Sequence, residues 1–188
     1  NDGGSIILMA DTIQVSEDTG IPSVNEGSLK DLFSDYGITL DDNFVYDLEQ
    51  NNLIGIPSGG FVVPAPYPLW FIANATADAQ SVVKNVSNIS MLWGGSISVD
   101  ENKLNGAKLS KLFETTDSAN TQSGENIKIS VEESLKAKSD DSKKLVALAL
   151  ENEKGGRAII AGDSDFVSDQ IVQELASRRQ GLDSLNNS

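Results

Sequence analysis

The chain has 188 residues, with 14 Lys and Arg against 28 Asp and Glu for a formal net charge of −14, and it contains neither cysteine nor histidine. The two absences exclude disulfides, thiolate zinc sites, Cys-His nucleophiles and every mechanism built on a histidine base. The acidity argues against nucleic acid and against an anionic membrane surface as partners, while 39% apolar and 22% charged residues describe an ordinary globular chain able to bury a core.

In chain order, Ser5 to Ala10 is a short continuous apolar run ending at Asp11, which predicts a strand buried on both faces. The polar stretch from Thr12 to Val24 reads as a surface loop. Leu29, Leu32, Phe33 and Tyr36 fall at i, i+3, i+4 and i+7 with Gly37 behind them, predicting a helix that Ser28 or Asn25 caps. Asn43 to Asp47 predicts a second strand ending in aspartate. Ile56 to Pro68 is rich in proline and glycine and reads as loop and edge structure. Leu69 to Ala73 reads as a strand, Asp78 to Lys84 as a short helix, and Ile89 to Val99 as a strand weakened by Gly94-Gly95. Lys108 to Thr115 is a further strand, and the polar segments Asp117 to Glu125 and Lys136 to Lys143 read as mobile loops.

The last third is the most regular. Leu145 to Leu150, a turn at 151–156 and Arg157 to Gly162 predict two consecutive strands, the second ending at Asp163. Val167, Ile171 and Leu175 are spaced four apart, with Glu174 and Arg178 as an i, i+4 pair, predicting a closing amphipathic helix. Strands interleaved with helices, several apolar on both faces, predict one domain over residues 1–188. Its expected fold class is a three-layer α/β sandwich with a mostly parallel or mixed central sheet. The longest apolar stretch, Phe61 to Ala75, is broken by Pro64, Pro66 and Pro68 and is too short to span a bilayer as a helix. The opening Asn1-Asp2-Gly3-Gly4 lacks the basic region of a signal peptide, and the chain is expected to be a piece of a longer protein.

Three apolar runs terminate in Asp11, Asp47 and Asp163. On parallel strands these carboxylates would line one sheet edge, where open α/β sheets bind ligands. Aspartate is equally a favoured turn and cap residue, and that plainer role suffices for each of them. Gly162-Asp163-Ser164-Asp165-Phe166 looks like the nucleophile block of a serine esterase, but that chemistry needs a histidine. The motif also lacks the spacing of a calcium loop, so it reads as a strand-to-helix turn with Ser164 or Asp165 capping. Tyr67, Trp70, Phe71 and Trp93 are candidates for stacking a sugar ring, and more commonly such residues are core. No metal site and no cofactor site is expected.

The order of blocks Gly3 to Asp11, Leu32 to Ile38, Val45 to Asp47 and Gly156 to Phe166 resembles the auxiliary component of gliding-motility-type ABC transport systems, the GldG-like proteins. Their soluble domain is related to one in intraflagellar-transport proteins. The resemblance implies an amidotransferase-like or flavodoxin-like layout on the extracytoplasmic, periplasmic side of the inner membrane. It also implies anchoring by transmembrane helices outside this chain, a strand and helix preceding it, and partnership with an ABC permease and its ATPase. A carbohydrate ligand is a further implication. The expectation is a non-catalytic binding or scaffolding domain whose ligand or partner docks at Asp11, Asp47, Asp163, Ser164 and Asp165, or at Tyr67 and Trp70. The alternative is a carboxylate-dependent carbohydrate-active hydrolase, which needs two acids about 5–10 Å apart across a cleft.

Overall fold

The computed structural model describes residues 3–16, 18–124 and 127–168. Among these, strands take 45% and helices of every kind 11%. The strands are β1 (Gly4–Met9), β2 (Ile13–Val15), β3 (Pro22–Val24), β4 (Ile38–Leu40), β5 (Asn43–Asp47), β6 (Asn51–Ser58), β7 (Phe61–Ala75), β8 (Asn88–Ser90), β9 (Ile97–Val99), β10 (Lys108–Glu114), β11 (Ala119–Ser123), β12 (Leu145–Glu151) and β13 (Gly156–Ala161). The one α-helix among the described residues, α1 (Val131–Ser134), is a single turn capped by the Ser130 hydroxyl.

A seven-stranded sheet runs β1-β13-β12-β10-β7-β6, with β8 added beside β7. Only β1 and β13 pair in parallel, and the remaining ladders are antiparallel. The sheet curls where β10 bulges near Phe113 and meets β7 through only two residue pairs. Smaller ladders join β2 to β3, β4 to β9 and β5 to β11.

The expected three-layer α/β sandwich with an amidotransferase-like or flavodoxin-like layout is therefore corrected to a mostly β fold with a curled sheet. Parallel strands need crossover connections of a dozen or more residues, usually helical, and the segment with the best helical spacing does not form one. Leu29 sits at φ 54°, in the left-handed region that a helix start excludes. Leu29 and Leu32 stay exposed, and only a 3-10 turn at Ser34–Tyr36 forms, stopped by Gly37 at φ 70°. Asp78–Ser81 is likewise a 3-10 turn. The polar 12–24 stretch makes the β2-β3 hairpin, and the loop expected at 117–125 contains β11 paired along the whole of β5. Gly94 and Gly95 divide the expected strand over 89–99 into β8 and β9. Of the closing helix, only a 3-10 turn at Asp165–Val167 is described. Ile171, Glu174, Leu175 and Arg178 lie outside the described residues.

The core has three lobes. Leu8, Leu148, Leu150 and Ile160 project from the sheet onto Ile38, Leu40 and Ile97 of the β4-β9 ladder. Phe71, Leu112 and Val146 pack with Val45 and Met91. Phe44, Tyr46, Tyr67 and Leu69 form the third lobe. β1 departs from its expected double burial. It is the outermost strand of the sheet path, with Ile6 45% and Ile7 61% exposed on opposite faces.

Candidate functional site

The parallel register of β1 and β13 sets Met9 beside Ala161, so Asp11 and Asp163 emerge at the same end of the sheet. The Asp11 carboxylate accepts the Ser164 amide at 3.1 Å and, through its other oxygen, the Ser164 hydroxyl. Its main-chain carbonyl accepts Asn25 Nδ2 at 3.0 Å. Asp163 is completely buried. One of its oxygens accepts the Leu92 amide and the other the Asp165 amide, each at 2.6 Å. Burial pushes the Asp163 carboxyl up to about 7, and the Asp11 and Asp165 charges add to the rise against the two backbone amides that oppose it. Asp165 is also raised, first by desolvation and then by the Asp11 charge. Ser164 does not cap the following turn, since its hydroxyl is directed to Asp11.

A layer that sequence reasoning did not find completes this end of the molecule. Asp41 accepts the hydroxyls of Ser96 at 2.6 Å and Ser98 at 3.0 Å, and its carbonyl accepts Thr12 Oγ1 at 2.7 Å. Asn43 exchanges bonds with Ser96, donating from Nδ2 to the hydroxyl and accepting the amide. The glycine pair brings these groups to Asp163: the Gly95 amide donates to the Gly162 carbonyl at 2.6 Å, and a Cβ on Gly162 would lie 2.2 Å from the Gly95 oxygen. Only glycine permits that approach. The Gly94-Gly95 doublet was the available signal, since adjacent glycines inside a strand pattern mark close backbone approach.

Asp47 stands apart from this group. It ends β5, which belongs to the β11 ladder and not to the main sheet. Its carboxylate, completely buried, accepts the amides of Glu49, Gln50 and Thr116 and the Thr116 hydroxyl at 2.7–3.0 Å. Tyr67 and Trp70 stand elsewhere again, on β7. The Tyr67 ring is buried and meets Trp70 edge-on at 5.8 Å, and Trp70 meets Trp93 in the same manner at 5.6 Å. The Tyr67 hydroxyl donates to the Ile129 carbonyl at 2.5 Å and accepts Trp93 Nε1 at 3.0 Å. Burial raises its pKa against the Trp93 bond.

The structure thus brings Asp11, Asp163, Ser164 and Asp165 together at one end of the sheet, while Asp47 ends a strand of the β11 ladder and Tyr67 and Trp70 lie on β7 against Trp93, the residue after the Leu92 amide that Asp163 holds. Chemically, Asp11, Asp47 and Asp163 bind backbone amides across loops that are distant in sequence, which fastens strand ends to one another. Among the described residues, no group of three or more acids is arranged to hold a metal ion. Two surface cavities, of about 520 Å³ and about 530 Å³, lie instead on the two faces of β1, bordered by Ile6, Phe33 and Tyr36 on one side and by Ile7, Val82 and Ile159 on the other.

A family model described as "ABC-type uncharacterized transport system" matches residues 1–188, and the chain belongs to that family. Among solved structures, one titled "mmIFT52 N-terminal domain" is similar, with a TM-score of 0.51 and 13% identity. The match covers 92% of this chain and 59% of that one, so this chain corresponds to part of its length, and the likeness is one of fold. No curated protein matches.

Proposed function

We propose that this member of the family is a non-catalytic, extracytoplasmic binding or scaffolding domain of a gliding-motility-type ABC transport system, working beside that system's permease and ATPase subunits. The observation that carries the reading is the use made of the strand-end acids. Both oxygens of Asp163 hold backbone amides, both oxygens of Asp11 hold Ser164, and Asp47 is filled by four donors. A glycoside-cleaving pair must keep one acid free to protonate a leaving group and the other free to attack or to activate water. These carboxylates are committed to architecture instead.

Recognition then falls to the outer edge of the sheet. Among the described residues β1 ends the sheet path with one strand edge unpaired and with Ile6 and Ile7 exposed above and below it, and a partner that adds a strand there gains main-chain hydrogen bonds and two apolar flanks. Membership of an ABC transport family supports a protein of the same system as that partner. The test is purification of the intact protein from its native membrane after cross-linking through a photoreactive residue at Ile7. Joint recovery with a permease or ATPase subunit is expected, and recovery with neither sinks the reading. Labelling of a Lys154→Cys variant in intact cells by a membrane-impermeant maleimide checks the extracytoplasmic placement, which a label that appears only after lysis would refute.

A further inference from the structure

We infer that the β6-β7 hairpin is a membrane-contact arm whose tip enters the headgroup boundary of an electrically neutral lipid surface. β6 and the first half of β7 pair continuously from Asn52–Tyr67 out to Ser58–Phe61, where Gly59 and Gly60, at φ 56° and 87°, make the turn. At the tip Phe61 is 77% and Val62 73% exposed, with Val63 at 44%. Successive residues of a strand point to opposite faces, so both faces of the tip are apolar and open. Further along the same strand, Ala65, Tyr67, Leu69 and Phe71 are buried and root the arm in the core.

Two further observations say what medium suits this arm. Residues 50–77 contain no charged side chain, in a chain that is 22% charged and carries −14 overall. An arm without charge loses little on entering a low-dielectric boundary, whereas the acidic body is repelled by anionic lipid. The second observation concerns backbone donors. Pro57, Pro64 and Pro66 face Val62, Gly55 and Leu53 in the ladder, and these pairs share one parity. It is the parity at which an N–H would point away from the partner strand, since proline cannot donate inward. The prolines therefore delete outward donors on both strands of the arm. Fewer donors remain to be desolvated, and a protein that docks by adding a strand finds no continuous ladder. A protein groove would cover one face of a hairpin, while an apolar boundary receives both. The donors and carbonyls that still point outward limit entry to the tip, because hydrocarbon offers such groups no hydrogen-bond partner.

The chain has no cysteine, so one introduced thiol reports from one place. A Val62→Cys variant carrying a polarity-sensitive fluorophore is mixed with phosphatidylcholine vesicles, beside a Lys154→Cys control labelled on an exposed turn of the body. The expected result is brightening and blue shift at position 62 only, with flotation of the protein in a density gradient. Phe61→Ser, made in the unlabelled chain, should weaken the vesicle partition roughly tenfold or more, since burial of a phenylalanine side chain is worth ~1.5–3 kcal/mol. Phosphatidylglycerol vesicles should bind less at low salt and recover as salt is raised. No response at position 62, an equal response at position 154, or binding confined to anionic vesicles overturns the proposal. Brightening that depends on protein concentration without vesicles also overturns it, in favour of a second copy of the chain as occupant. Circular dichroism of each variant confirms that exposed tip substitutions leave the fold intact.

Discussion

Asp163 makes stability depend on pH in a direction opposite to that of an ordinary ion-paired acid. Its carboxyl is raised from 3.8 to about 7, chiefly by burial. Between those values the folded chain holds a proton that the unfolded chain has released, so stability falls as pH rises through the window. The contribution is fully present below pH ~4 and fully lost above pH ~7, and at 1.36 kcal/mol per pH unit the whole span is worth about 4 kcal/mol. Asp163→Asn removes the titration. The amide cannot accept both the Leu92 and Asp165 N–H groups as the two carboxyl oxygens do, which costs about 1–3 kcal/mol at every pH. The expected difference between the two proteins therefore favours the native chain in acid and shrinks or reverses toward pH 8. Urea unfolding of both proteins at steps from pH 4 to 8 measures it, and other titrating groups cancel in the difference. A ¹³C titration of the Asp163 carboxyl supplies the folded midpoint, and Asp11→Asn should lower that midpoint by removing a nearby charge. A difference curve that stays flat across the window, or a midpoint near 4, refutes the reasoning.

Asp47→Ala leaves three amides and a hydroxyl without their acceptor, and a loss of about 3–5 kcal/mol in urea unfolding is expected from charge-assisted bonds to a buried carboxylate. Gly162→Ala places a Cβ 2.2 Å from the Gly95 carbonyl oxygen, a backbone collision expected to cost at least about 3 kcal/mol. Gly4→Ala meets nothing within 4 Å and should be neutral by the same melting assay. Tyr67→Phe removes the donor to Ile129 and the acceptor for Trp93 and should lower stability by about 1–3 kcal/mol. A change in tryptophan near-UV circular dichroism would report the released indole.

Much of the strand framework is legible from one dimension. β5, β12 and β13 follow from apolar runs bounded by turn residues, because a buried strand must be apolar along its length wherever it lies, and β10 follows from the mixed alternation of Lys108–Glu114. The pairing of Asp11 with the Gly162–Asp165 turn was partly visible too. Both follow apolar runs, and a parallel register carries both to one edge. The polar β11 was invisible, since Ala119 to Ser123 is held by the β5 backbone and carries no apolar alternation of its own. Asp41, Asn43 and Ser96 were missed for a related reason. Their exchange spans more than fifty positions, and no local spacing encodes it.

By itself the sequence determined the chemistry that is absent, the acid balance and the positions of most core strands, because these depend on residue type and on short-range period. The tertiary structure alone decided that the strands pair mainly antiparallel in a curled sheet, that the 29–36 pattern is a turn, and that Asp47 ends a strand of a separate ladder rather than one of the main sheet. It also decided how the 50–77 stretch is used. Neutrality and prolines are read directly from the chain. Whether those residues are interior or exposed depends on how far the hairpin extends past the last core residue that covers it.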